Sequence, residues 1–129
     1  MPDIGDEGLS GSVTDETAWQ DLGIAIPAFA TNADVATPAN NQGTGALGAE
    51  LARVVYNDLK FNGLFKPTGP DSLPRPTYSQ ITAPAFNQWG GRGAEMLVHG
   101  YVRAGEGGKL TVRCYLYDVQ LQNELVRAG

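Results

Sequence analysis

The sequence predicts an α/β domain: a two-layer, mixed β-sheet of about five strands, with one long and one short helix packed on one face. Three observations predict it. The run GIAIPAFA (Gly23–Ala30) is continuously apolar, as a strand buried on both faces requires. Leu47, Leu51, Val55 and Leu59 recur at every fourth position, the spacing of one helical face. In the last third, Leu110, Val112, Cys114 and Leu116 alternate with Thr111, Arg113, Tyr115 and Tyr117, the period of a strand. With 129 residues the chain suffices for one core.

Taken in order, Met1 to Gln20 is polar and rich in glycine, and reads as an arm ordered only by docking, with Trp19 as its anchor. Within it LSGSVTDE suits a weak edge strand and TDETAW one helical turn. Pro27 removes a ladder donor from the first strand, so pairing ends or turns irregular there. Thr31 to Thr44 is a loop by composition. The helix is expected over Gly45–Phe61, with Thr44 as N-cap, Val54 widening the apolar stripe and Gly63 stopping the last turn. Leu64–Lys66 is a brief strand that Pro67 ends. Five prolines between Pro67 and Pro84 argue against regular structure there. Ala85–Trp89 makes a short helix with Pro84 at its first position. Glu95–Arg103 and Lys109–Asp118 flank the loop AGEGG as a hairpin. Asn123–Arg127 begins a further strand, and a domain ending inside a sheet reads as truncated.

Composition narrows the function. A net charge of −5 has the wrong sign for a protein that binds nucleic acid by releasing counterions from phosphates. No apolar run approaches the roughly 18 residues that a membrane helix needs. The first residues, MPDIGDEGLSG, are acidic where a signal peptide is basic, so the chain is either cytoplasmic or stripped of a leader. Cys114 is the single cysteine, which excludes an intramolecular disulfide and a multi-cysteine metal site.

Candidates for chemistry each have a plainer reading. GTGALG (Gly43, Gly45, Gly48) matches a dinucleotide fingerprint at a helix start. In that motif a strand feeds directly into the first glycine, whereas here a long loop intervenes, and close helix packing explains the glycines better. His99 is the single histidine and reads as a core or sheet residue satisfied by a hydrogen bond. A Cys114–His99 dyad is rejected because the two side chains fall on opposite faces. Asp15, Glu16 and Asp21 read as solvated surface, and Ser10, Ser12, Ser72 and Ser79 lack a nucleophile elbow. No catalytic residue, metal site or cofactor is therefore expected. Tyr101, Arg103, Arg113, Tyr115 and Tyr117 share one sheet face, which suits stacked bases, a protein partner, or cover by a strand or helix outside this chain.

Three ordered blocks resemble the TolB N-terminal domain family. LGIAIPAFA matches its apolar strand, and Asp58, Leu59, Gly63 and Phe65 stand at the positions of its D-L-x-x-[ST]-G-x-F segment, with Asn62 in place of Ser. Trp89, Gly93, Ala94, Glu95, Leu97, Val98, Gly100 and Val102 follow its next pattern, and Arg113 to Val119 continue the match. The resemblance implies an anticodon-binding-like α/β fold (residues 21–129 behind the arm at 1–20) in a non-enzymatic, periplasmic adaptor of the Tol–Pal system. It implies TolA as partner of the arm ahead of Leu22, whose contact residues match no motif. Pal and colicins are contacted in that family by a C-terminal β-propeller, of which this sequence has none. It also implies a role in outer-membrane integrity and cell division.

Overall fold

The computed structural model describes residues 22–129. Strand β1 (Leu22–Ala25) leads through a long loop to helix α1 (Thr44–Asn62), and strand β2 (Phe65–Thr68) completes a parallel βαβ unit. Two short 3-10 turns, Pro70–Ser72 and Tyr78–Gln80, and helix α2 (Phe86–Gly91) precede β3 (Met96–Ala104), β4 (Leu110–Asp118) and β5 (Asn123–Ala128). The sheet order is β2-β1-β3-β4-β5, with β1 parallel to β2 and β3, and β3, β4 and β5 antiparallel in sequence. This is the mixed five-stranded sheet with one long and one short helix that the sequence leads one to expect. The arm, with Trp19, Asp15, Glu16, Asp21, Ser10 and Ser12, lies outside the described residues.

Two apolar clusters hold the sheet, one on each face. On the first, α1 lays Leu47, Leu51, Ala52, Val55 and Leu59 against Ile24, Ile26, Phe29, Met96, Val98 and Val102. On the second, Trp89 and Phe86 of α2, with Leu73, Tyr78 and Ile81 from the preceding segment, pack on Ala25, Leu97, Tyr101, Tyr115 and Tyr117. The two helices therefore lie on opposite faces, which corrects the expectation that they share one. Both faces of β3 are buried, and each face needs its own cover.

Several local expectations are corrected as well. The first strand is shorter than Gly23–Ala30: the backbone leaves the ladder after Ala25, and Ala30 rejoins β3 as an isolated bridge to Tyr101. Pro27 sits in that excursion with its ring fully buried. Pro67 does not end β2 but pairs in register with Ile24. An edge strand leaves one side unpaired, which is where a missing N–H is tolerated.

Val54 is 52% exposed and does not widen the α1 stripe; Gly48 and Ala52 do. Gly48 is there because α1 crosses Phe29 so closely that a Cβ would collide with the Phe29 carbonyl. The Phe29 N–H donates to the Gly48 carbonyl at 3.1 Å across the same contact. Gly63, at φ 77°, stops the helix as expected.

Candidate functional site

The glycine-rich helix start is occupied by the protein itself. Gly43, at φ 102°, is the residue that caps α1, and Thr44 is already inside the helix, so the expected Thr44 cap is corrected. The Thr44 hydroxyl is fully buried and holds the loop instead, 2.9 Å from the Ala33 carbonyl and accepting the Val35 N–H at 3.1 Å. Capping comes from Asp34, whose Oδ1 accepts the Gly45 N–H at 3.1 Å. A side chain at Gly43 would run into that carboxylate, and one at Gly45 would press tightly against it. The positive end of the helix thus already carries an internal anion, where a dinucleotide motif would leave room for pyrophosphate. Nothing local announces Asp34, since it lies in the loop well ahead of the glycines it serves.

His99 and Cys114 are separated by the sheet, as the alternation of β3 and β4 requires. Cys114 pairs with Gly100 in register and belongs to the α1 face, while His99 pairs with Tyr115. Burial pushes the Cys114 thiol up, away from the thiolate a nucleophile would need. His99 is wholly buried, in edge contact with Trp89 (ring centroids 5.6 Å) and Tyr117 (6.3 Å). Neither ring nitrogen has a hydrogen-bond partner, which corrects the expectation of a satisfied core histidine. Burial pushes its pKa down to about 4; the adjacent Val98 backbone pulls the other way, without reaching hydrogen-bonding geometry.

The tyrosine and arginine face is not open to bases. Tyr101, Tyr115 and Tyr117 are 9%, 6% and 4% exposed. Their cover comes from within this chain rather than from a missing strand or helix: the segment from Pro70 to Ala94, including α2. The Tyr117 hydroxyl donates to the Ile81 carbonyl at 2.7 Å, and Arg103 donates to the Tyr78 hydroxyl at 3.0 Å while lying over the Tyr101 ring. Arg127 lies over Tyr115 and clasps Glu124. Arg113 remains exposed. The turn at Tyr78–Gln80 has a signal in the sequence that is easy to overlook: Thr77-x-x-Gln80, in which the Gln80 amide oxygen accepts the Thr77 N–H at 3.0 Å.

What stays available for contact is an apolar groove and a more polar hollow. Because α1 covers β1–β3 but stops short of β4 and β5, a groove of about 280 Å³ remains on that face. Val55 and Leu59 form one wall, Ile24, Met96, Val98, Cys114 and Leu116 the floor, and Val126 and Ala128 the rim. Leu121, Leu125 and Val126 are exposed at and just before β5. A wider hollow of about 520 Å³ beside α2 is lined by Asn87, Gln120 and Gln122 amides, with Glu95 at its edge. That carboxylate already accepts the Gly23 N–H at 2.9 Å. Among the described residues no group of three or more His, Cys, Asp or Glu side chains is arranged to hold a metal ion. None of the described helices is long and apolar enough to cross a membrane.

Comparison with known proteins bears on the same residues. A protein of Novosphingobium aromaticivorans named Tol-Pal system protein TolB 1 is 62% identical over 122 residues, covering 95% of this chain and 27% of its own length. The Tol-Pal system protein TolB of Sphingopyxis alaskensis is 50% identical over 123 residues, covering 95% and 26%. That of Rhizorhabdus wittichii is 47% identical over 110 residues, covering 85% and 25%. The chain thus spans about a quarter of the length of these relatives. A solved PelC dodecamer from Paraburkholderia phytofirmans is similar over 81% of this chain and 66% of that one at TM-score 0.45 and 18% identity, too loose a likeness to carry an argument. The family model described as TolB amino-terminal domain matches residues 13–125, and the chain belongs to that family.

Proposed function

We propose that this chain is a non-enzymatic adaptor domain of the Tol–Pal system. In this reading, residues 1–20 form an arm that binds TolA and residues 21–129 form the α/β body that carries it. The domain works in the periplasm and supports outer-membrane integrity and cell division. Contacts with Pal and colicins fall to the propeller of the family.

One observation carries the reading: the groups capable of chemistry are consumed inside the fold. Asp34 neutralises the helix start, His99 is closed off in an aromatic cluster, and Cys114 sits in an apolar floor on the other face. The accessible remainder, apolar along β5 and the groove, suits a polypeptide better than a substrate. The names of the relatives supply the system in which that polypeptide is sought.

The test is an NMR titration of the isotopically labelled chain with the C-terminal domain of TolA. Resonances of Leu9–Asp21 should shift or broaden, and those of β3 and β4 should not. Unchanged resonances throughout Leu9–Asp21 would overturn the role of the arm. The competing nucleotide reading is tested by calorimetry with dinucleotides and ATP, where no heat is expected because Asp34 fills the site.

A further inference from the structure

His99 is the one fully buried side chain among the described residues with both of its polar atoms unpartnered. A neutral imidazole tolerates that poorly, and an imidazolium, which carries two donors and a charge, tolerates it far worse. The groups around the ring offer no relief. From α2 comes Trp89, whose indole N–H is only a donor. From β4 come Tyr115 and Tyr117, and the Tyr117 hydroxyl is spent on the Ile81 carbonyl, its own proton held so firmly by burial that its pKa is pushed up to about 12.

The stretch from Ala25 to Ala30, along the β1 side, contains nothing that titrates. Tyr101 on β3 and Tyr78 on the cover are tied to Arg103. The charged groups at the rim are Arg103, Arg127 and Glu124, and Glu124 is already paired with Arg127. Glu95, at the head of β3, is held by the Gly23 N–H. No described carboxylate bonds the ring.

The two sides of the sheet would not respond alike to a charge at this point. The cover over His99, residues 70–94, contains two 3-10 turns and a six-residue helix. Its side-chain hydrogen bonds to the face beneath are the Tyr117–Ile81 and Arg103–Tyr78 pairs. Its first residues are instead tied to α1, Asp71 by the Arg53 guanidinium and Arg75 by donating to the Gly45 carbonyl. The opposite face is covered over β1–β3 by the 19-residue α1, and its apolar cluster holds no histidine, carboxylate or amine. The least anchored unit opens first.

We infer that His99 is an acid-sensitive latch: taking up a proton, it lifts the cover at residues 77–94 and exposes Trp89, Tyr101, Tyr115 and Tyr117, while α1 and the residues at 70–76 tied to it stay docked. The open state binds the proton at the ordinary histidine value near 6.5, and the closed state binds it only near 4. Closure is therefore favoured above 6.5 and weakens as pH falls through that window.

Amide hydrogen exchange of the whole chain, followed by NMR from pH 8 to pH 4.5, tests this. Protection of the cover amides should fall by roughly 80-fold beyond the intrinsic rate change. Protection within α1 should change far less. In His99→Phe, the pH-dependent part of the cover's response should drop to within about threefold of none. If that variant does not fold, the wild-type ring decides: its C–H shifts should titrate well below 6.5, together with loss of cover protection. The latch is overturned by an undiminished acid response in His99→Phe, by His99 titrating near 6.5 with the cover closed, or by equal loss of protection on both faces.

Discussion

The two faces of the sheet make opposite bargains with water. The α1 face is chemically simple, built mostly from aliphatic side chains, yet it is left partly open: Leu110, Val112, Cys114 and Leu116 of β4 are only partly buried. The aromatic face carries a histidine, three tyrosine hydroxyls and two stacked arginines, and it is the one that is closed. Polarity of the strand pattern is thus a poor guide to which face is covered. A tyrosine buries a large ring and needs only one acceptor for its hydroxyl, so a tyrosine face makes a serviceable core wherever a neighbouring carbonyl can reach it. Tyr117 has that acceptor in Ile81.

Substitutions can separate the two faces. The largest effect is expected from Trp89→Ala, which removes the ring that closes the aromatic face over His99; it should cost about 3–5 kcal/mol in urea unfolding. Its damage should be confined to the cover, with α1 amides still protected near the unfolding midpoint of the variant.

Gly48→Val should cost about 3 kcal/mol from the other side, because the new side chain meets the Phe29 backbone rather than a movable side chain. Far-UV circular dichroism should report that loss as reduced helix. If Gly48→Val is silent, α1 is not docked through Phe29.

Tyr117→Phe keeps the ring and orphans the Ile81 carbonyl, for an expected loss of about 1–3 kcal/mol. A neutral result in thermal unfolding would mean that the cover does not depend on this bond.

The smallest effect is expected from Val126→Lys on the rim of the groove. The site is 56% exposed, and stability should move by less than about 0.5 kcal/mol in either direction. A large destabilisation there would show that β5 is more deeply packed than its exposure implies.

The elements with strong local periodicity were legible in advance. The α1 stripe, the hairpin of β3 and β4, the glycine stop at Gly63 and the separation of His99 from Cys114 all follow from spacing alone, since neighbours three, four or two apart share a face whatever surrounds them. Val54 is the instructive exception on α1. Its side chain is as apolar as its neighbours, but its angle around the helix turns it toward solvent, while Ala52 and Gly48 are the buried positions. Pro67 is another, since a proline that ends a central strand is accommodated in an edge one, and edge position is a property of the assembled sheet.

The candidate site was less legible. GTGALG names a helix start, but the carboxylate that fills it comes from Asp34, far enough away that only the folded loop brings them together. The same holds for His99: its face was readable from β3, whereas its lack of any partner depends on Trp89 and Tyr117, which arrive from two other elements.

By itself, then, the chain's order of residues determined the α/β class, the family and the alternation of each strand, because these depend on short-range spacing and on matched segments. Tertiary structure alone decided which segment covers which face, where the helix start finds its anion, and which polar atoms are left without partners. Those outcomes depend on groups distant in sequence meeting at a few ångströms, and no local pattern encodes such meetings.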